Sequence, residues 1–228
     1  KQGYTGTITA KTNSGAAVAV TNNGNNTFTF TVPANATRVD VTPVFTLASA
    51  LPFTDVATNA GYYNAVKYCY EKNMIQGTTN TTFSQILTIL WRQAGAQTQT
   101  PAGLYKDMPG NSDYYNAVIW ATRNNIAQGY EDGRFYPDRP INRQELATFL
   151  YRYQVNFKRG TTAGSVNNLN SYTDGSQVGV WALPAMRWAV GNGIVSASGN
   201  RLSPKDAAPR WQAATAMYMY CSGVLGIV

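Results

Sequence analysis

Tyr114-Tyr115-Asn116-Ala117-Val118 repeats, residue for residue, a stretch that stands 52 positions earlier as Tyr62-Tyr63-Asn64-Ala65-Val66. The same offset carries Phe53-Thr54-Asp55 onto Tyr105-Lys106-Asp107, and Gly77 onto Gly129. A third, more worn copy opens with Tyr172-Thr173-Asp174, continues with Trp181-Ala182-Leu183-Pro184-Ala185-Met186, and follows copy two at an offset of 67 or 68. Three copies therefore fill residues 52 to about 225. A unit this short cannot bury its own apolar face and is stable only when packed on its neighbours. Three similar units also offer three similar grooves, which suits a multivalent binder better than an enzyme.

Within each copy the apolar period is helical. In copy two, Tyr115, Val118, Thr122 and Ile126 line one face of a first helix, which Asn124-Asn125 and Gly129 end in a loop. A second helix carries Leu146, Phe149, Leu150 and Tyr153 on one face. Copy three matches with Ala213, Ala216, Met217 and Tyr220, and copy one, less cleanly, with Ile86, Ile89, Leu90 and Gln93. Residues 1–48 differ. Thr7-Ile8-Thr9-Ala10, Val18-Ala19-Val20-Thr21, Thr27 to Val32 and Val39-Asp40-Val41-Thr42 alternate with period two around Asn/Gly turns, the mark of antiparallel strands. Four short strands are marginal alone, so this is read as the end of a preceding β domain. The division is 1–48, a β module; 52–100, 101–156 and 170–226, three helical repeats; Leu47 to Pro52 is the linker. The abrupt opening inside β-like sequence suggests an excised piece of a longer protein.

Composition narrows the chemistry. Eighteen basic against eleven acidic residues give a net charge of +7, which points to a polyanionic partner or to none. The cations are scattered without a Lys/Arg run, so nucleic acid is not expected. Histidine is absent, removing the commonest general base and metal ligand. Cys69 and Cys221 sit in no metal or disulfide framework, and Cys69 falls where the other copies have Ala121 and Ala189, a small buried helix position. No stretch is long enough for a transmembrane helix, and no signal peptide is visible. Only Glu71, Glu131, Glu145 and eight aspartates could serve a glycan-cleaving pair, and several suit caps and turns. No catalytic residue, metal or cofactor is expected.

One choice runs against helix physics. The second helix of copy two opens Pro140-Ile141-Asn142-Arg143-Gln144-Glu145, with Asn142 as N-cap and Glu145 completing a capping box. Arg143 at the first helical position opposes the helix dipole, and copy three repeats it with Arg210. A guanidinium beside free N–H groups is an anion site. The alternative is an internal ion pair with the aspartate that opens each copy, Asp55, Asp107 or Asp174.

These residues carry a resemblance. Tyr105-Lys106-Asp107, Tyr115-Asn116-Ala117-Val118, Ile126, Gly129, Asp132-Gly133-Arg134-Phe135-Tyr136-Pro137 and Ile141-Asn142-Arg143-Gln144-Glu145 closely resemble an S-layer homology repeat. Copy three is a weaker match, with Pro209-Arg210-Trp211-Gln212 in place of the signature. The resemblance implies a mainly α fold, three helix-loop-helix repeats in a pseudo-threefold, three-lobed assembly behind a small antiparallel β module. It implies a non-catalytic, extracellular anchor that binds an acidic polymer attached to peptidoglycan, often pyruvylated, in grooves between lobes. The alternative is a surface-layer assembly module working through protein contacts, with self-association possible in either case. By that resemblance Arg143 and Arg210 contact the acid, and Gly77 and Gly129 let backbone approach the sugar. Trp211 stacks on a sugar face or sits in the core. Asp55, Asp107, Asp174, Asn142 and Glu145 support the site.

Copy one is shorter. Gly129 to Glu145 spans 16 residues and Gly77 to Gln85 only 8. Matching Phe83 to Phe135 places the gap after Ser84, where residues equivalent to Pro137–Gln144 are missing. A deletion there would join a loop to a helix without a cap. The expectation is therefore a further loop between Ser84 and Gln85, with an arginine two residues before Gln85.

Overall fold

The computed structural model describes residues 4–24, 27–47, 51–75, 81–98, 103–162 and 167–227. It divides at residue 54 into two units.

The first unit is all β. Strand β1 (Tyr4–Thr12) lies between β2 (Ala17–Val18) and β5 (Val39–Leu47), antiparallel to both, while β3 (Val20–Gly24) and β4 (Thr27–Phe30) form a separate hairpin. Each alternating stretch read from the sequence lands on a strand, except that Ala19, Thr31 and Val32 fall outside. The second alternating run is divided between β2 and β3, giving five strands among the described residues where four were expected.

Among its described residues the second unit holds six α-helices, α1 (Tyr63–Glu71), α2 (Phe83–Gln93), α3 (Tyr115–Arg123), α4 (Arg143–Arg152), α5 (Leu183–Gly191) and α6 (Arg210–Met219), two to each copy. Each first helix ends where the backbone turns left-handed, at Asn73, Asn125 and Gly193, the residue types that tolerate that conformation. A π-helical turn extends α4 over Tyr153–Phe157 and α6 over Tyr220–Val224. The apolar faces read from the sequence are the buried ones: Val118, Ile126, Leu146, Phe149, Leu150, Tyr153, Ala213, Ala216, Met217 and Tyr220 are all in the core, and so is Cys69.

The helices pack across copies. Helix α3 lies on α2, α5 lies on α4, and α1 lies on α6. Each first helix therefore packs on the second helix of the copy before it, and copy one closes the ring on copy three. The backbone repeats this order at the second-helix starts. Phe83 N donates to Arg139 O (3.1 Å), Ser84 N to Pro137 O (3.1 Å) and Ile141 N to Thr81 O (3.1 Å). One copy later, Arg143 N donates to Asp206 O (3.1 Å), Gln144 N to Pro204 O (3.0 Å) and Ala208 N to Ile141 O (2.8 Å).

These bonds fix the register of copy one and correct the sequence reading. Thr82 is the N-cap of α2 and shares a capping box with Gln85, as Asn142 does with Glu145. Thr82-Phe83-Ser84-Gln85 is thus equivalent to Asn142-Arg143-Gln144-Glu145. Ser84 runs straight into Gln85 inside one capped helix, so no loop stands between them. The shortening lies ahead of Thr82. The residue two before Gln85 is Phe83 where an arginine was expected, and its match to Phe135 fails because Phe83 opens the capped helix in the place of Arg143.

Candidate functional site

Three grooves follow from the ring. Each is walled by the loop after a first helix, by the second helix of the same copy, and by the first residue of the second helix one copy earlier. Groove one holds Met74 and Ile75, then Ser84, Gln85, Thr88 and Ile89 of α2, then Arg210 and Ala213 of α6, and has a volume of about 270 Å³. Groove two holds Gly129 and Tyr130, then Glu145, Thr148 and Phe149 of α4, then Phe83 of α2, with about 330 Å³. Groove three holds Ile194, Val195 and Ser196, then Gln212 and Thr215 of α6, then Arg143 and Leu146 of α4, and is closed down to about 20 Å³.

The two helix-start arginines fare differently. Arg143 is only 8% exposed. Its Nε donates to Leu202 O (2.7 Å), its Nη1 to Gln212 Oε1 (2.6 Å) and its Nη2 to Ser196 O. Burial pulls its pKa down, opposed by the charges of Asp206 and Asp174. Arg210 faces groove one and is paired with Asp55, Nη2 standing 2.8 and 2.6 Å from the two carboxylate oxygens. The expected free N–H groups beside the arginine are not found at α2 or α4. The first two donate to carbonyls of the next copy, and the third to the cap, at Gln85 through Thr82 Oγ1 and at Glu145 through Asn142 Oδ1.

The opening aspartates hold loops. Asp107 accepts from Phe135 N and Tyr136 N, both 2.8 Å, and Asp174 from Leu202 N and Ser203 N, both 2.8 Å. Tyr136 and Ser203 both carry positive φ, so each carboxylate stabilises a left-handed exit from a hairpin. Burial opposes ionisation of Asp174, but the two N–H donors outweigh it and hold its pKa below the usual range. Among the described residues copy one shows no counterpart of these turns, and Asp55 pairs with Arg210.

Gly129 lines groove two, and its N–H donates to Tyr105 Oη (3.1 Å). A Cβ there would stand 2.1 Å from the Tyr105 ring and 2.8 Å from Arg134 O, so packing alone demands glycine. Gly77 lies outside the described residues. Trp211 stacks on Tyr62, with centroids 4.9 Å apart, and keeps 38% exposure at groove three.

Three residues that sequence reasoning missed line or flank groove two. Arg139 lies over the Phe83 ring at 4.3 Å and pairs with Glu145 at 2.5 Å. It returns a guanidinium to the third residue of the second helix, as Arg143 does at Gln212. Arg152 lines the groove from the last turn of α4, and Trp181 stands at its lip. The signal for Arg152 was available: Arg92 and Arg152 both follow Gln85 and Glu145 by seven residues, and Arg92 lines groove one.

Comparison with known proteins agrees with the three copies. The S-layer homology domain family matches residues 52–84, 104–147 and 171–214, together just over half of the chain. The surface-layer 125 kDa protein of Lysinibacillus sphaericus is 26% identical over 190 residues, covering 79% of this chain and 15% of that protein. An endoglucanase of Bacillus sp. (strain KSM-635) is 25% identical over 150 residues, 62% of this chain and 16% of the enzyme. A cell surface protein of Thermoanaerobacter kivui is 26% identical over 118 residues, 46% of this chain and 16% of that protein. The chain thus spans about one sixth of the length of these relatives.

Proposed function

The chain belongs to the S-layer homology family, and on that premise we propose that residues 55–228 are a non-catalytic anchor holding a bacterial surface protein to an acidic cell-wall polymer. The chain is extracellular, at the cell surface. The observation that carries the reading is the pair of open grooves, one and two, each built from two neighbouring repeats and each lined by arginine. A saccharide of about one or two units fits volumes of about 270 and 330 Å³. The net charge of +7 draws an acidic polymer toward those grooves. Arg210 is the helix-start arginine that faces an open groove, and its bond to the exposed Asp55 is one that a ligand carboxylate can exchange. Arg143 binds carbonyls and an amide in a closed groove, and holds the repeats together. Gly129 brings backbone to the wall of groove two. Repeats of this kind carried on a surface-layer protein and on an endoglucanase fit a portable anchor whose cargo varies. A pyruvate ketal would supply the acid.

Co-sedimentation with cell-wall sacculi tests the proposal. The protein should pellet with intact sacculi and stay in solution once acid has stripped the secondary polymer. Equal pelleting with stripped sacculi would end the reading. Concentration-dependent self-association without polymer binding would favour the assembly role instead.

A further inference from the structure

The two open grooves are not equivalent in charge. Groove one carries Arg92 and Arg210, but Asp113 and Asp138 line the same cavity and Asp55 holds Arg210. An incoming anion there meets two carboxylates and must displace a third. In groove two, Phe83 fills the helix-start position, and the one carboxylate, Glu145, is already neutralised by Arg139 at 2.5 Å. That leaves Arg152. Among the described residues it makes no hydrogen bond and no ion pair, although it is partly buried, and burial alone lowers its pKa. A desolvated cation without a counter-charge is a cost to the fold that an anionic ligand removes.

The lip of groove two completes the site. Trp181 takes the place that Asp113 has at groove one, and it is 55% exposed although aromatic. Tyr130, Phe83 and Phe149 add apolar surface to the same groove. An exposed indole beside an unpaired guanidinium recognises a sugar ring with a carboxylate on it. The ring's C–H face packs on the aromatic, and the acid meets the cation with charge-assisted bonds.

We propose that groove two is the principal acidic-sugar site, with Arg152 as its carboxylate contact and Trp181 as its stacking face. This rests on the reading of the grooves as acidic-glycan sites. It departs from the helix-start arginine as the determinant of acid binding, because groove two has none.

The test titrates the whole chain with a methyl hexoside carrying a 4,6-linked pyruvate ketal, and with the methyl ester of that ketal. The readout is the indole N–H resonance of Trp181, assigned by Trp181→Phe. The ketal should shift that resonance, and the ester should bind at least about tenfold more weakly. Arg152→Gln should weaken ketal binding by at least about tenfold with a melting temperature no lower than the wild type's, and the exposed Arg187→Gln should leave ketal binding within about twofold. Loss of ketal binding in Arg210→Gln, with a Trp181 resonance that never moves, would overturn the inference and keep the anchor reading. So would equal weakening by Arg187→Gln, which would reveal diffuse attraction. If sacculi retain the wild type while the Trp181 resonance ignores the ketal, this inference fails alone. If neither binds, it falls together with the anchor reading.

Discussion

Replacing Arg143 with alanine should cost far more folding stability than replacing Arg210, although both open a second helix in equivalent positions. The Arg143 guanidinium reaches three acceptors on copy three: Leu202 O at 2.7 Å, Gln212 Oε1 at 2.6 Å and Ser196 O. Each charge-assisted bond contributes about 1.5–3 kcal/mol. Against that stands the desolvation of a nearly buried cation, several kcal/mol that removal of the charge recovers. The acceptors are then left without their donors, and the methylene stem leaves a void. The balance is a loss of about 3–4 kcal/mol, which for a unit of this size is a fall in Tm of about 6–16 °C. Arg210 pairs with an Asp55 whose side chain is 67% exposed, and loss of that pair should cost about 0.5–1 kcal/mol, or about 1–4 °C. All five tryptophans lie beyond residue 54, so tryptophan fluorescence follows the helical unit without the β module. An Arg143→Ala protein melting within about 2 °C of the wild type, or above Arg210→Ala, would refute the structural role given to Arg143.

Thr82→Ala should cost about 1 kcal/mol in urea unfolding, because it removes the cap of α2; no loss would reopen the register of copy one. Gly129→Ala should cost at least about 2 kcal/mol, since its Cβ would meet the Tyr105 ring at 2.1 Å, and Tyr105→Ala in the same chain should recover part of that loss. Asp174 has a folded pKa below its unfolded value of about 3.9, so its stabilisation is present above about pH 4 and lost as pH falls through the folded pKa. Asp174→Asn should accordingly melt lower than the wild type at pH 7, with the difference closing as pH falls through the folded pKa; a constant difference would deny the carboxylate that role.

The repeats were legible because their apolar faces are periodic and their caps are chemical. Val118, Leu146 and Met217 announced buried faces, and Asn142 with Glu145 announced a helix start. The register of copy one was lost because Phe83 can be matched two ways, to Phe135 by type and to Arg143 by position. Type invited the first match, and the backbone decides for the second through Phe83 N on Arg139 O and the Thr82 cap. The fate of the arginines was not legible either. A cation at a helix start reads as strained or ligand-binding when only its own helix is considered. What occupies Arg143 is two carbonyls and an amide from residues 53, 59 and 69 positions further along. Arg152 escaped notice for the opposite reason, since an arginine in the last turn is what the helix dipole favours and so raised no question.

Because every groove takes its walls from two copies, change in one copy is felt in the next. Phe83 belongs to copy one but faces the groove of copy two; Arg143 belongs to copy two and fills the groove of copy three; Arg210 belongs to copy three and reaches back to copy one. The shorter segment ahead of Thr82 in copy one goes with two separable features. Among the described residues no backbone N–H holds Asp55 as others hold Asp107 and Asp174, and Asp55 binds Arg210 across the closing seam of the ring. Groove two is untouched, because the turn beside that groove belongs to copy two, which still delivers Arg139 onto Phe83 and Glu145. The most diverged copy therefore sits beside the groove with the most intact walls. A ligand that needs a free guanidinium should follow the groove that retains one, at Arg152, even though the helix-start arginine of that groove has gone.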